Sequence, residues 1–215
     1  MPNWVSNTLS ITGSAEDIAD FKEKASQPKT TYWEGKEEVD EAVLSFMNFI
    51  APPQEALASG EYYGTHGWSE GKEVGRTPNN WYEFNNREWG TKWDASDEDL
   101  TVDDTEYLEY NFQTAWAPPT PVFQAMAEQY KNLVFEIHCV EEQGWGVDFE
   151  GRDGELTTTD EWDIPDSHES SIHRTNSCRC EWLDPIEERD NFFSDCPKLD
   201  PEEAIRLLEE VNPRF

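Results

Sequence analysis

Basic residues are scarce in this chain: 16 Lys+Arg stand against 47 Asp+Glu, for a formal net charge of −31 over 215 residues. The long-range field of such a chain repels DNA, RNA and anionic membranes, so direct nucleic-acid or membrane binding is not expected. A basic protein partner, cations or simple solubility fit the charge, as would a salt-adapted surface. There is no run of about 18 apolar residues to span a bilayer. The N-terminus, MPNWVSNTLSITGS, lacks the basic start and apolar core of a secretion signal, which predicts a cytoplasmic location. Cysteine is sparse (Cys139, Cys178, Cys180 and Cys196), and in that compartment these read as free thiols. GxSxG, P-loop and HExxH motifs are missing. His138 alternates with Cys139 on a predicted strand, which points the two away from each other. A non-enzymatic protein without a cofactor is the reading that follows.

Aliphatic residues are few, but aromatics are not. With 10 Trp, 11 Phe and 7 Tyr the chain can build a core, because each ring buries a large area. Residues 4–12 alternate, with Val5, Leu9 and Ile11 on one side, and predict a half-buried strand. Ser14 with Asp17 three residues on forms a capping box, and Ile18, Phe21 and Ala25 make the stripe of the helix that follows. EFNNREWGTKWDA (83–95) reads as a strand, and the acidic stretch after it as a connector. YLEYNFQTAW (107–116) alternates cleanly. Thr120 is a predicted N-cap, with Pro121 in the first helical position, and Val122, Met126 and Tyr130 follow at helical spacing. LVFEIHCV (133–140) and WGVDFEG (145–151), joined by EEQG, predict a hairpin, and GRDGELTTT extends it by a short edge strand.

The order is strand, helix, strand, strand, helix, strand. That is the α+β, ferredoxin-like βαββαβ pattern, an antiparallel sheet with two helices on one face and the other face open. Residues 27–88 are a long insertion, in which 42–53 holds a possible strand. The predicted domain spans 1–158. Residues 159–215 form an appendage whose helix, about 201–211, has Asp200 as cap and Pro201 as first residue.

MPNWVSNTLSITG, EWGTKWDA and YNFQTAWAPPTPVFQAMAEQY…LVFEIHCVEEQGWGVDFEG together resemble the YubB-like, or Api92-like, proteins of bacteriophages and conjugative plasmids. The resemblance covers roughly residues 1–158 and implies a ferredoxin-like fold and a home on a mobile element. It supplies no catalytic residues to carry over. The acidic stretch and the cysteine-bearing tail fall outside the recognised pattern.

Four constellations remain. The open sheet face would present Glu109, Asn111, Gln113, Glu136, His138, Asp148 and Glu150. It is too acidic for RNA, with only Trp4 and Tyr107 as stacking platforms. From Asp94 to Glu106 there are seven acids and no base, and residues 136–169 add twelve acids against Arg152 alone. Charge runs are usually solvated surface. Rows of acids on a rigid sheet, however, resemble a line of phosphates. The candidate partner-binding surface is therefore Asp94, Asp97, Glu98, Asp99, Asp103, Asp104, Glu106, Glu109, Glu136, Asp148 and Glu150. Its expected partner is a host protein with a basic surface, a nucleic-acid-handling defence factor inhibited by mimicry.

The second constellation is the aromatic insertion. Trp68, Trp81, Tyr82 and Trp89 line either a small-ligand or nucleotide pocket or simply a local core. The third is metal. His173, Cys178, Cys180 and Cys196 are weak zinc candidates with non-standard spacing, and Asp97, Asp99, Asp103 and Asp104 lack the geometry of a calcium loop. The fourth is catalytic acid pairs, of which nothing singles out two. A structural or assembly role within the mobile element is a further alternative.

Overall fold

The computed structural model describes residues 2–33, 36–53, 56, 68–69, 72–73 and 80–164. Its centre is a six-stranded antiparallel sheet built from β1 (Trp4–Thr12), β6 (Ser96–Asp103), β7 (Tyr107–Ala115), β8 (Val134–Glu141), β9 (Gly146–Arg152) and β10 (Glu155–Trp162). The spatial order is β10-β9-β8-β1-β7-β6. The four strands β8-β1-β7-β6 are the ferredoxin-like set, and the β9–β10 hairpin widens the sheet beyond β8. Short hairpins β2 (Lys29–Trp33) with β3 (Lys36–Asp40), and β4 (Trp68–Ser69) with β5 (Lys72–Glu73), lie in the insertion.

Two helices cover one face. In α1 (Ala15–Ala25) the Ser14 hydroxyl accepts the Asp17 N–H at 3.2 Å, so the expected cap forms. Buried Ile18, Phe21 and Ala25 face the sheet. The Phe21 ring lies 5.8 Å from Phe135 and 6.3 Å from Tyr110. The second long helix, α3 (Thr120–Gln129), starts one residue earlier than expected. Pro119 is its N-cap and Thr120 is already helical, because two consecutive prolines set the turn. Phe123 of this helix packs on Phe112 and Phe149. Val5, Leu9, Ile11, Leu108, Tyr110, Phe112, Phe135 and Ile137 supply the sheet's side of the core. Each such side chain contributes about 1.5–3 kcal/mol on burial.

Two local expectations change. Residues 83–95 are not a strand but α2 (Trp81–Phe84), a π-helical turn (Asn85–Trp89) and a loop. The Asn80 side chain caps α2 by accepting the Glu83 N–H at 3.0 Å, and Gly90, at φ 79°, ends the turn. The acidic stretch, expected to be a connector, instead contains β6, hydrogen-bonded along the edge of β7. The region 42–53 holds a 3-10 turn (Phe46–Asn48) rather than a strand. The predicted helix at 201–211 lies outside the described residues.

Candidate functional site

Strand register decides which acids meet. On the face away from the helices, Glu109 of β7 stands opposite Ser10 of β1. Ser10 stands opposite Glu136 of β8, and Glu136 opposite Glu150 of β9. Neighbouring strands lie about 4.8 Å apart, so Glu136 and Glu150 are about 5 Å apart at their backbones and Glu109 about 10 Å from Glu136. One step along the strands a second row runs Asp99–Asn111–Thr8–His138–Asp148–Asp160. Within these rows, Arg152 Nη2 reaches Glu150 at 3.4 Å, and His138 Nδ1 lies 2.6 Å from Asp148 Oδ1. His138 also stacks on Trp162, with ring centroids 5.6 Å apart. Burial, with Glu109 beside it, pushes the Tyr107 hydroxyl up. It stays protonated and donates to Glu109 at 3.0 Å.

The acidic stretch itself does not form one surface. Asp99 lies on the open face opposite Asn111. Asp103 pairs with Lys22 of α1 at 2.5 Å, on the helix side, and Glu98 pairs with Lys29. Asp97 occupies a left-handed bulge position at φ 51°. Asp104 shapes the β6–β7 turn by accepting the Thr105 N–H at 2.6 Å, and Glu106 is exposed beside it. Asp94 is a structural residue. Its carboxylate accepts from Ser45 Oγ at 2.6 Å and from the Phe46 and Ala95 N–H groups at 2.7 and 2.8 Å, and burial raises its pKa above the usual carboxylate value. Asp97, Asp99, Asp103 and Asp104 do not converge on one point, and among the described residues no cluster of acids, histidines or cysteines has metal-binding geometry. Charges along β6 also serve an ordinary purpose, since a charged, bulged edge strand resists pairing with other chains.

The expected aromatic pocket is largely core. Trp81 and Trp89 are buried. Trp89 packs edge-on against Phe46 and Phe84 and donates from Nε1 to the Ile50 carbonyl at 3.0 Å. Tyr82 is half-buried, and the Trp68 side chain lies outside the described residues, as do His173, Cys178, Cys180 and Cys196.

A different aromatic group forms at the far end of the open face. Trp4 lies 5.9 Å from Trp93, and Trp93 stacks on Trp116 at 6.2 Å with planes 24° apart. Lys92 Nζ sits 4.4 Å from the Trp93 centroid and 5.1 Å from that of Trp116. Trp116 is 45% exposed and has a backbone φ of 69°, a conformation costing a bulky residue of order 1–3 kcal/mol. Its N–H is fixed on the Asn3 carbonyl at 2.9 Å. Strand alternation identifies only Trp4 of this group as an outward-facing ring. The WGTKW and TAW segments carry the other members, but their approach is a long-range event.

The open face contains no described helix long and apolar enough to cross a membrane, nor does any other part of the described chain. No curated protein matches the sequence. A crystal structure of a protein Api92 from Yersinia pseudotuberculosis is similar in shape at 9% identity and a TM-score of 0.49, covering 77% of this chain and 99% of that one. A family model described as the ferredoxin-like domain in Api92-like protein matches residues 88–178. That segment runs from β6 through β10, while the central strand β1 comes from outside it. It includes the acidic stretch, which was expected to lie outside the family pattern, and reaches Cys178 in the tail. Over residues 88–178 the chain is thus similar to the ferredoxin-like domain of Api92-like proteins.

Proposed function

We propose that this protein is a non-enzymatic interaction protein of a phage or plasmid whose open sheet face binds a basic partner. The partner is a host nucleic-acid-handling defence protein, held in its nucleic-acid groove and so inhibited. One observation carries the reading: the in-register carboxylates Glu109, Glu136 and Glu150, flanked by Asp148 and Asp160, on a face that no described helix covers. Glu136 and Glu150 are directly opposed like charges, an arrangement that costs stability and is worth keeping where a basic surface neutralises it. Charge is also sorted across the sheet, with Lys22, Lys24 and Lys29 engaged on the helix side with Asp103, Gln129 and Glu98. Relative to the sequence-based surface, the binding residues narrow to Glu109, Glu136, Asp148 and Glu150 with Asp99, and exclude Asp94.

The test is competition. Proteins captured by the tagged chain from nuclease-treated bacterial lysate are purified and titrated with a labelled DNA or RNA ligand. The chain is expected to displace that ligand, and Glu136→Lys with Glu150→Lys is expected to abolish displacement. A captured protein that binds nucleic acid and this chain at the same time would overturn the mimicry reading.

A further inference from the structure

We propose that Trp4, Trp93, Trp116 and Lys92 form a binding site for a free mononucleotide, with the base stacked on the indoles and the phosphate held by Lys92. The three rings follow one another at 5.9 and 6.2 Å, inclined by 33° and 24°, and the last of them, Trp116, is 45% exposed. Indole faces held in place and open to solvent are stacking platforms for any flat π-system.

Lys92 supplies the second half of the recognition. Its ammonium lies over Trp93 and Trp116 and 6.0 Å from the Tyr82 ring. Among the described residues no carboxylate lies within 4.0 Å of it. In a chain of net charge −31, such a lysine is a local positive point without an acid to neutralise it. A planar ligand bearing a linked anion satisfies both features at once. Phosphate on a base meets that description, with the ring over indole and the charge on ammonium.

The site is also preorganised. The Thr91 side chain bridges to both backbone groups of Ala115, and Asn85 Nδ2 donates to the Lys92 carbonyl at 2.8 Å. These bonds hold the Lys92–Trp93 loop against the end of β7, and Trp116 keeps its left-handed backbone through the bond to Asn3. The acidic rows of the open face lie beyond it: the nearer row crosses β1 at Thr8, four residues from Trp4, about 13 Å, while charges in physiological salt are screened over about 8 Å. One exposed acid, Glu142, adjoins Trp4, its N–H donating to the Trp4 carbonyl at 3.1 Å. A single nucleotide can therefore bind where a long strand crossing the acidic rows would be repelled.

The experiment is titration of the full chain with AMP, adenosine, inorganic phosphate and a short 5′-phosphorylated single strand, read by tryptophan fluorescence and by NMR shifts of the indole N–H groups. AMP is expected to bind saturably and more tightly than adenosine or phosphate, and the strand no better than AMP. Lys92→Met should weaken AMP about fivefold and leave adenosine unchanged. Trp116→Asn removes the ring while suiting the left-handed backbone, and it should weaken both AMP and adenosine about tenfold. Thermal melting of each variant separates lost binding from lost folding. Absence of saturation at millimolar AMP, equal binding of AMP and adenosine, equal binding of AMP and phosphate, or tighter binding of the strand would each overturn the assignment.

Discussion

Thr91 and Ala115 form a closed pair: the Thr91 hydroxyl donates to the Ala115 carbonyl at 2.9 Å and accepts the Ala115 N–H at 3.1 Å. One buried side chain thus takes the place of a neighbouring strand at the end of β7 and pins the loop that carries Lys92 and Trp93. Thr91→Val keeps the shape and removes both bonds. It is expected to cost about 1–3 kcal/mol, the penalty for buried groups left without partners. Thr91→Ser should be nearly neutral. Urea unfolding of both variants checks this, and a Thr91→Val protein as stable as the parent would show that water replaces the bridge.

Asp94 predicts a pH dependence. Burial raises its pKa in the folded chain above the ordinary value of 3.8, so the fold favours the protonated form. The stability this contributes is fully present below the unfolded pKa and is lost as pH rises through the folded one. Asp94→Asn cannot ionise, keeps an acceptor for the Phe46 and Ala95 N–H groups, and can donate to Ser45. It is expected to be at least as stable as the parent at neutral pH, with the difference shrinking as pH falls toward 3.8. Asp94→Ala leaves those N–H groups without their acceptor and should cost about 1–3 kcal/mol. Melting curves between neutral and acid pH decide it.

Glu136 and Glu150 face each other across β8 and β9. Removing one charge with Glu136→Gln should raise stability by about 0.2–1 kcal/mol at low salt and by less at high salt, where exposed charges are screened. A loss of stability would instead assign Glu136 a structural partner. The same variant should weaken the proposed basic partner, so stability and binding move in opposite directions.

Gly146 has no room for a side chain. A methyl group there would collide with the Trp162 ring and the Cys139 carbonyl. Gly146→Ala is expected to cost about 1–3 kcal/mol through overpacking and to displace Trp162 from His138. Differential scanning calorimetry reads the first effect, and the His138 ring proton shifts, which sense the indole above them, read the second.

The alternation in 4–12, 107–116 and 133–140 was legible because side-chain direction in a strand is local. Period-two placement of Val5, Leu9, Ile11, Leu108, Tyr110 and Phe112 names the buried face without any partner in view, and the outward set Glu109, Glu136, His138, Asp148 and Glu150 follows from the same rule. The α1 cap was equally local. The matching signal at Asn80 and Glu83, three residues apart, marks the start of α2, although the apolar spacing of 83–95 also suits a strand.

Ser96–Asp103 could not be recognised alone. Acidic residues have low strand propensity, and it is the free edge of β7, offering backbone hydrogen bonds, that makes this segment a strand. Tertiary structure likewise sent Asp103 to Lys22 and enclosed Asp94 against Ser45, separating acids that are neighbours in sequence. It also gathered Trp4, Trp93 and Trp116, which no local pattern connects. Sequence by itself determined which face of each regular strand is apolar, because that depends on neighbours two residues away. Which acids share a surface, and which rings share a corner, depended on strand order and register, and these are set by contacts between residues about a hundred positions apart.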